Sequence, residues 1–174
     1  MTLDEFANIA AAIRTCYSKE KILANRQAME LWYGLLKDIP YDVAQQVVNE
    51  WMSTEKWSPT IADIREMAAK LSKPEIPEWS EAWEKVIQAI GRWGMHRESE
   101  ALATMNETAQ QTVKRMGWQY ICLSENIGVE RATFRDIYTA IKARKDQQAK
   151  LPESLAERIA QMQAVGIEVK DGTL

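Results

Sequence analysis

Ser72-Lys73-Pro74-Glu75-Ile76-Pro77-Glu78 divides the chain in two. Each proline lacks an N–H and clashes with the preceding turn, so no helix runs through this stretch. On both sides of it apolar residues recur at helical spacing. Nowhere do they alternate at period two over a useful length; Ile167-Glu168-Val169 comes nearest and is too short to matter. The expected fold is therefore all-α. Residues 1–71 form a compact N-terminal bundle of short helices, and 72–79 a Pro-containing linker. Residues 80–150 form a second helical domain with one long helix, and 151–174 an amphipathic segment with a flexible tail.

Upstream of the linker the helices have legible ends. Thr2 followed by Glu5 is a capping-box pattern, and Leu3, Phe6, Ile9, Ala10 and Ile13 continue as one apolar stripe to Cys16. The rhythm lapses over 15–24. It resumes from Asn25 to Lys37 with Ala28, Leu31, Trp32, Leu35 and Leu36. Asp38-Ile39-Pro40 ends that helix, because a residue before proline is pushed out of the helical region. Tyr41 to Ser53 carries Val43, Ala44, Val47, Val48 and Trp51. After Trp57-Ser58-Pro59, Thr60 caps a helix to Leu71 that presents Ile61, Ile64, Ala68 and Leu71, with Asp63 in its first turn.

Downstream, Ser80 is the expected N-cap of a helix bearing Trp83, Val86, Ile87 and Ile90, with Gly91 and Gly94 loosening the chain around Trp93. Glu98–Met105 reads as a short helix. Asn106 caps another that Gly117 ends in a left-handed conformation, and Trp118–Leu123 adds a turn or more. Asn126-Ile127-Gly128 is a turn. The longest helix runs from Val129 to about Lys150, with Ala132, Phe134, Ile137, Tyr138 and Ile141 inward. Its polar end beyond Ile141 is expected to stand clear of the core. A last amphipathic helix over Glu153–Val165 carries Leu155, Ile159 and Met162, and Gly166 ends it.

Composition narrows the function. The 174 residues are 46% hydrophobic and 27% charged, values of an ordinary globular chain. A net charge of −3 gives no broad positive field of the kind duplex-binding proteins carry. The only cysteines, Cys16 and Cys122, are isolated, and His96 is the only histidine, so neither a zinc ligand set nor a disulfide framework assembles. The acidic start Met1-Thr2-Leu3-Asp4-Glu5 reads as no secretory signal. No apolar run approaches the roughly 18–20 residues of a membrane span. Cytoplasm is the expected compartment, without membrane contact. Seven tryptophans stand beside two phenylalanines. Most should anchor cores, leaving one or two for a partner surface.

No catalytic set can be built. His96 has no nucleophile elbow to serve, and there is neither a phosphate-binding glycine loop nor a dinucleotide fingerprint. Acidic pairs such as Glu78 with Glu81 read as solvated helix faces. The expectation is a binding protein with no catalytic residues, metal or cofactor. Two features suit binding. Arg131, Arg135 and Lys142 share one side of the long helix, with Arg144 and Lys145 just beyond. They read either as cations favoured near a helix C-terminus or as contacts to phosphates or an acidic surface. The stripe Leu155, Ile159 and Met162 either packs back on its own domain or lies in a partner's groove.

Residues 1–71 resemble the phage replicative helicase loader/inhibitor family. The resemblance lies in the Glu5-Phe6 helix, in Trp32-Tyr33 followed by Leu36-Lys37-Asp38, in Tyr41 opening the next helix, and in Pro59-Thr60-Ile61-Ala62-Asp63-Ile64-Arg65. It implies a non-enzymatic, DnaB-type helicase-binding protein of the bacterial host cytoplasm. Such a protein holds the hexameric replicative helicase inactive and loads it at the phage origin, and the phage origin-binding protein is a further implied partner. In that family the C-terminal part is flexible and takes part in helicase contact. Here the second half carries apolar stripes of its own, so that role does not transfer to it residue by residue. Two other classes stay open: a replication or regulatory protein making weak DNA contact through Arg131–Lys145, and a small helical structural phage protein.

Overall fold

The computed structural model describes residues 1–72 and 75–171, and side chains as far as residue 162. It contains ten helices and no strand among the described residues. In chain order they are α1 (Leu3–Cys16), α2 (Arg26–Leu36), α3 (Tyr41–Thr54), α4 (Ile61–Ser72), α5 (Trp79–Trp93), α6 (Glu98–Leu102), α7 (Glu107–Met116), α8 (Trp118–Leu123), α9 (Ile127–Ala149) and α10 (Glu153–Asp171). They form two units: Met1–Pro74 together with Gln148–Leu174, and Glu75–Gln147. Of the linker, residues 73 and 74 lie outside the described residues.

The first unit is built on capped, amphipathic helices. Thr2 and Glu5 exchange the reciprocal bonds of a capping box at the start of α1, satisfying N–H groups that have no partner within the helix. Thr60 and Asp63 do the same for α4, at 3.2 and 2.9 Å. Phe6, Ile9, Ala10 and Ile13 of α1 meet Leu36 of α2, Ala44, Val47 and Val48 of α3, and Ile64 and Ala68 of α4 in one core. The connection after α1 contributes as well. Tyr17 and Leu23 are buried, and Leu23 sits at φ 51°, a left-handed conformation costing about 1 kcal/mol for a side-chain-bearing residue. Its burial offsets that cost.

The second unit packs around aromatic rings. Trp83 of α5 lies 5.1 Å from Phe134 of α9, which stacks on Tyr138 at 5.4 Å. The buried Tyr138 hydroxyl donates to Pro77 O at 2.9 Å, and Trp118 donates its indole N–H to Gly94 O at 3.2 Å. Gly117, at φ 88°, ends α7 and turns the chain into α8, a conformation glycine adopts without steric cost.

Several boundaries and faces differ from expectation. Ser80 is not the N-cap of α5; Glu78 is, without a side-chain bond, and Ser80 lies in the first turn. Leu3, Leu31, Leu71 and Ile87 are exposed, and so is Ala132. Ala82 and Ala89 fill the α5 core positions instead, since close helix packing favours small side chains. Gly91 is helical, α6 stops at Leu102, and α9 begins at Ile127. The polar end of α9 does not stand clear: Lys142 and Lys145 pair with Glu78 and Glu107, on neighbouring segments of the same unit. Gly166 does not end the last helix, which runs to Asp171. A glycine costs a helix only about 1 kcal/mol, and no proline follows. The tail expected beyond it falls at 172–174, outside the described residues.

Candidate partner-binding surfaces

The most constrained polar site lies in the first unit and joins the two ends of the resemblance motifs. Arg65, on the buried side of α4 and 8% exposed, forms a two-pronged pair with Asp38 at 2.8 and 2.9 Å. It also donates to Leu35 O at 2.7 Å and, through Nε, to Lys150 O. A guanidinium suits this position because its fixed fork serves several acceptors at once. Asp38 in turn accepts the Glu153 backbone N–H at 3.2 Å, one of the unpaired donors at the start of α10. Lys150 adds a salt bridge to Glu66 at 3.1 Å. Three polar contacts thus strap residues 150–153 to the bundle formed by the first four helices.

Electrostatics follow from this geometry. Burial pushes the Asp38 carboxyl up. The hydrogen bonds and charge of Arg65, with the Glu153 N–H, more than offset that and hold it below the usual carboxylate range. Lys150 and Lys70 likewise hold Glu66 low. Beside the strap runs an open cleft of about 340 Å³ lined by Asp38, Arg65, Ala68, Leu151, Glu153 and Ala156, among others. The Arg65 donors already have partners within it.

The stripe of α10 is not sealed against its unit. Leu155 is 41% exposed, Met162 70%, and Ile159 is half-buried. The helix is held at its first turn by polar contacts, while its apolar side chains largely face solvent. A second surface of this unit centres on Trp57, 74% exposed and the most exposed tryptophan. Its loop is nevertheless fixed. Trp51 donates its indole N–H to Trp57 O at 2.9 Å, Tyr17 donates to Glu55 O at 3.0 Å, and Ser58 binds the Glu20 carboxylate through both N–H and hydroxyl. A bulky aromatic on an ordered pedestal has little conformational freedom left to lose on binding.

The cations expected to form a stripe on α9 are largely committed within their own unit. Arg131 lies over the Trp79 ring at 5.3 Å. Arg135 pairs with Asp136, Lys142 with Glu78 and Lys145 with Glu107. The Glu78 hydrogen bond raises the Lys142 ammonium above its ordinary value. At about 100° per residue, Arg144 falls on the opposite side of the helix from the other four. Asp38 and Arg65 were not among the expected site residues, although both stand in the resemblance motifs. Partnership across 27 positions leaves no local signature; the available signal was an arginine at a core-facing register of α4.

Among the described residues no group of three or more His, Cys, Asp or Glu side chains could hold a metal ion, and no helix is long and apolar enough to cross a membrane. The described residues are helical, without strands, and present exposed apolar side chains on Trp57 and on α10. Residues 1–65 match the family model for the N-terminal domain of gp39P. That family is one of phage helicase loader/inhibitor proteins, and the match covers the Trp32–Asp38 and Pro59–Arg65 motifs. No curated protein and no solved structure matches the chain significantly.

Proposed function

We propose that this chain is a non-enzymatic phage replication protein that binds the host's hexameric DnaB-type helicase, holds it inactive and loads it at the phage origin. The match of residues 1–65 to the gp39P N-terminal domain carries this reading. Trp57 on its fixed loop, and the Leu155, Ile159 and Met162 stripe of α10, are the anchors we assign to the protein partners. Tryptophan is enriched among the few residues that carry most of the energy in such contacts, and an amphipathic helix seats its apolar stripe in a partner's groove. A loader without nucleotide chemistry acts by binding one state of the ring better than another. It also needs a second surface for the phage origin-binding protein.

The test is light scattering on a size-exclusion column with this protein and the host helicase, with and without ATP. A complex of defined mass, together with suppressed ATPase activity or unwinding, is the expected outcome. Trp57→Ala should weaken that complex tenfold or more while leaving stability within about 0.5 kcal/mol, as for an exposed side chain. No complex at micromolar concentration overturns the proposal.

A further inference from the structure

In the second unit, cations converge on one end where two helices terminate. α5 stops at Trp93 and α7 at Met116, and the Trp118 indole, hydrogen-bonded to Gly94 O, ties the two ends together. Arg92 closes α5; Lys114 and Arg115 close α7. Arg97 follows on the next segment beside His96. The Arg92 and Arg97 guanidiniums lie 4.9 and 4.5 Å from the centre of the Trp93 ring. In the same ring, the Trp93 indole N–H is the one buried side-chain polar atom without a hydrogen-bond partner among the described residues.

Helix dipoles do not absorb these charges. Each C-terminus presents about half a negative charge, so two ends balance about one cation. Of the carboxylates nearby, Glu100 pairs with Arg97 at 3.0 Å and Glu98 lies half-buried toward Cys122. Arg92, Lys114 and Arg115 are exposed. The site therefore offers donors and positive charge in excess of its acceptors, and a buried donor without a partner costs on the order of 1–3 kcal/mol.

We infer that this end of the second unit binds the phosphodiester backbone of nucleic acid. Several cations spread over three segments suit a string of phosphates better than a single ion. Guanidiniums held beside an indole add a surface on which bases can stack. This surface is distinct from the α9 cations, which are paired internally, and it does not depend on the helicase reading. The net charge of −3 makes the contact local and weak.

The experiment is fluorescence anisotropy of labelled oligothymidylate, and of a labelled duplex, titrated with the full chain. Neutralising about three phosphates gives a salt slope near −2 on single strands, so affinity falls roughly 20-fold from 50 to 200 mM salt. The triple variant Arg92→Gln, Lys114→Gln, Arg115→Gln is expected to weaken binding at least tenfold and flatten the slope, with unchanged circular dichroism. Lys142→Gln with Lys145→Gln should leave binding intact. Binding should also change the tryptophan emission, and Trp93→Phe should remove that change. Tighter binding of one probe tells single strands from duplex. The proposal is overturned by no binding at low salt, by a triple variant that binds as well as the parent, or by equal competition from polyglutamate, which would mark a surface for acidic proteins.

Discussion

Arg65 is a charged residue in a core-facing position, and its surroundings explain why it is tolerated there. Every acceptor it meets is a carboxylate or a backbone carbonyl. Replacing it with alanine would strand those acceptors and remove one of the three contacts that hold residues 150–153. Because Asp38 keeps partial contact with water, the expected loss is about 2 kcal/mol, below the 3–5 kcal/mol of a fully buried pair. Urea unfolding measures it, and Arg65→Lys should recover only part, since an ammonium cannot bind both carboxylate oxygens in the same fork. The pH dependence has a definite sign. Asp38 is depressed when folded, so its contribution is complete above the unfolded value of about 3.9 and vanishes as the pH falls through the lower folded value. The melting-temperature gap between the parent and Asp38→Asn should therefore close below about pH 4. Only the core-facing register of Arg65 on α4 was readable from the sequence. Asp38 looked like a helix-ending residue and Arg65 like the end of a motif, because a contact over such a separation leaves no periodicity.

At the scale of elements the sequence was most legible where ends are set by local chemistry. Thr2, Thr60, Asn106 and Gly117 occupy the cap positions their side chains or backbone freedom suggested, and Asn25, read as the first helical residue, is the N-cap of α2. Thr60→Ala should accordingly cost about 1 kcal/mol in unfolding free energy, with amide exchange quickening in the first turn of α4. Legibility failed where tertiary packing chose among apolar residues. Leu31 and Ile87 are as hydrophobic as the residues that are buried, yet they face solvent, while Ala82 and Ala89 lie inside. It failed again for the α9 cations. Spacing placed Arg131, Arg135 and Lys142 on one side, but it does not reveal that Glu78 meets Lys142 and Glu107 meets Lys145. For α10 the stripe was legible and its fastening was not.

At the scale of the molecule the chain enters the first unit, leaves after α4, builds the second unit, and returns at Gln148. Ser72 and Gln148 line the same cleft of the first unit, so the exit and the return are neighbours, as in an inserted domain. Replacing 73–147 with a short Gly/Ser linker should therefore leave a folded first unit that retains the Asp38 bond to α10. Circular dichroism and a cooperative melt that remains sensitive to Arg65→Ala would establish it; a molten product would refute it. The proline stretch had suggested two successive domains. Return of the chain to its starting unit rests on three contacts at 150–153, which no boundary signal announces.

The same strap determines how the protein would bear tension. Gripped at Leu3 and Met162 and drawn apart, the chain transmits force through the first unit and across the Asp38–Arg65–Lys150 junction. The second unit hangs in a closed loop outside the loaded path. It feels no pull until the junction ruptures, and its own length is released only when it then unfolds.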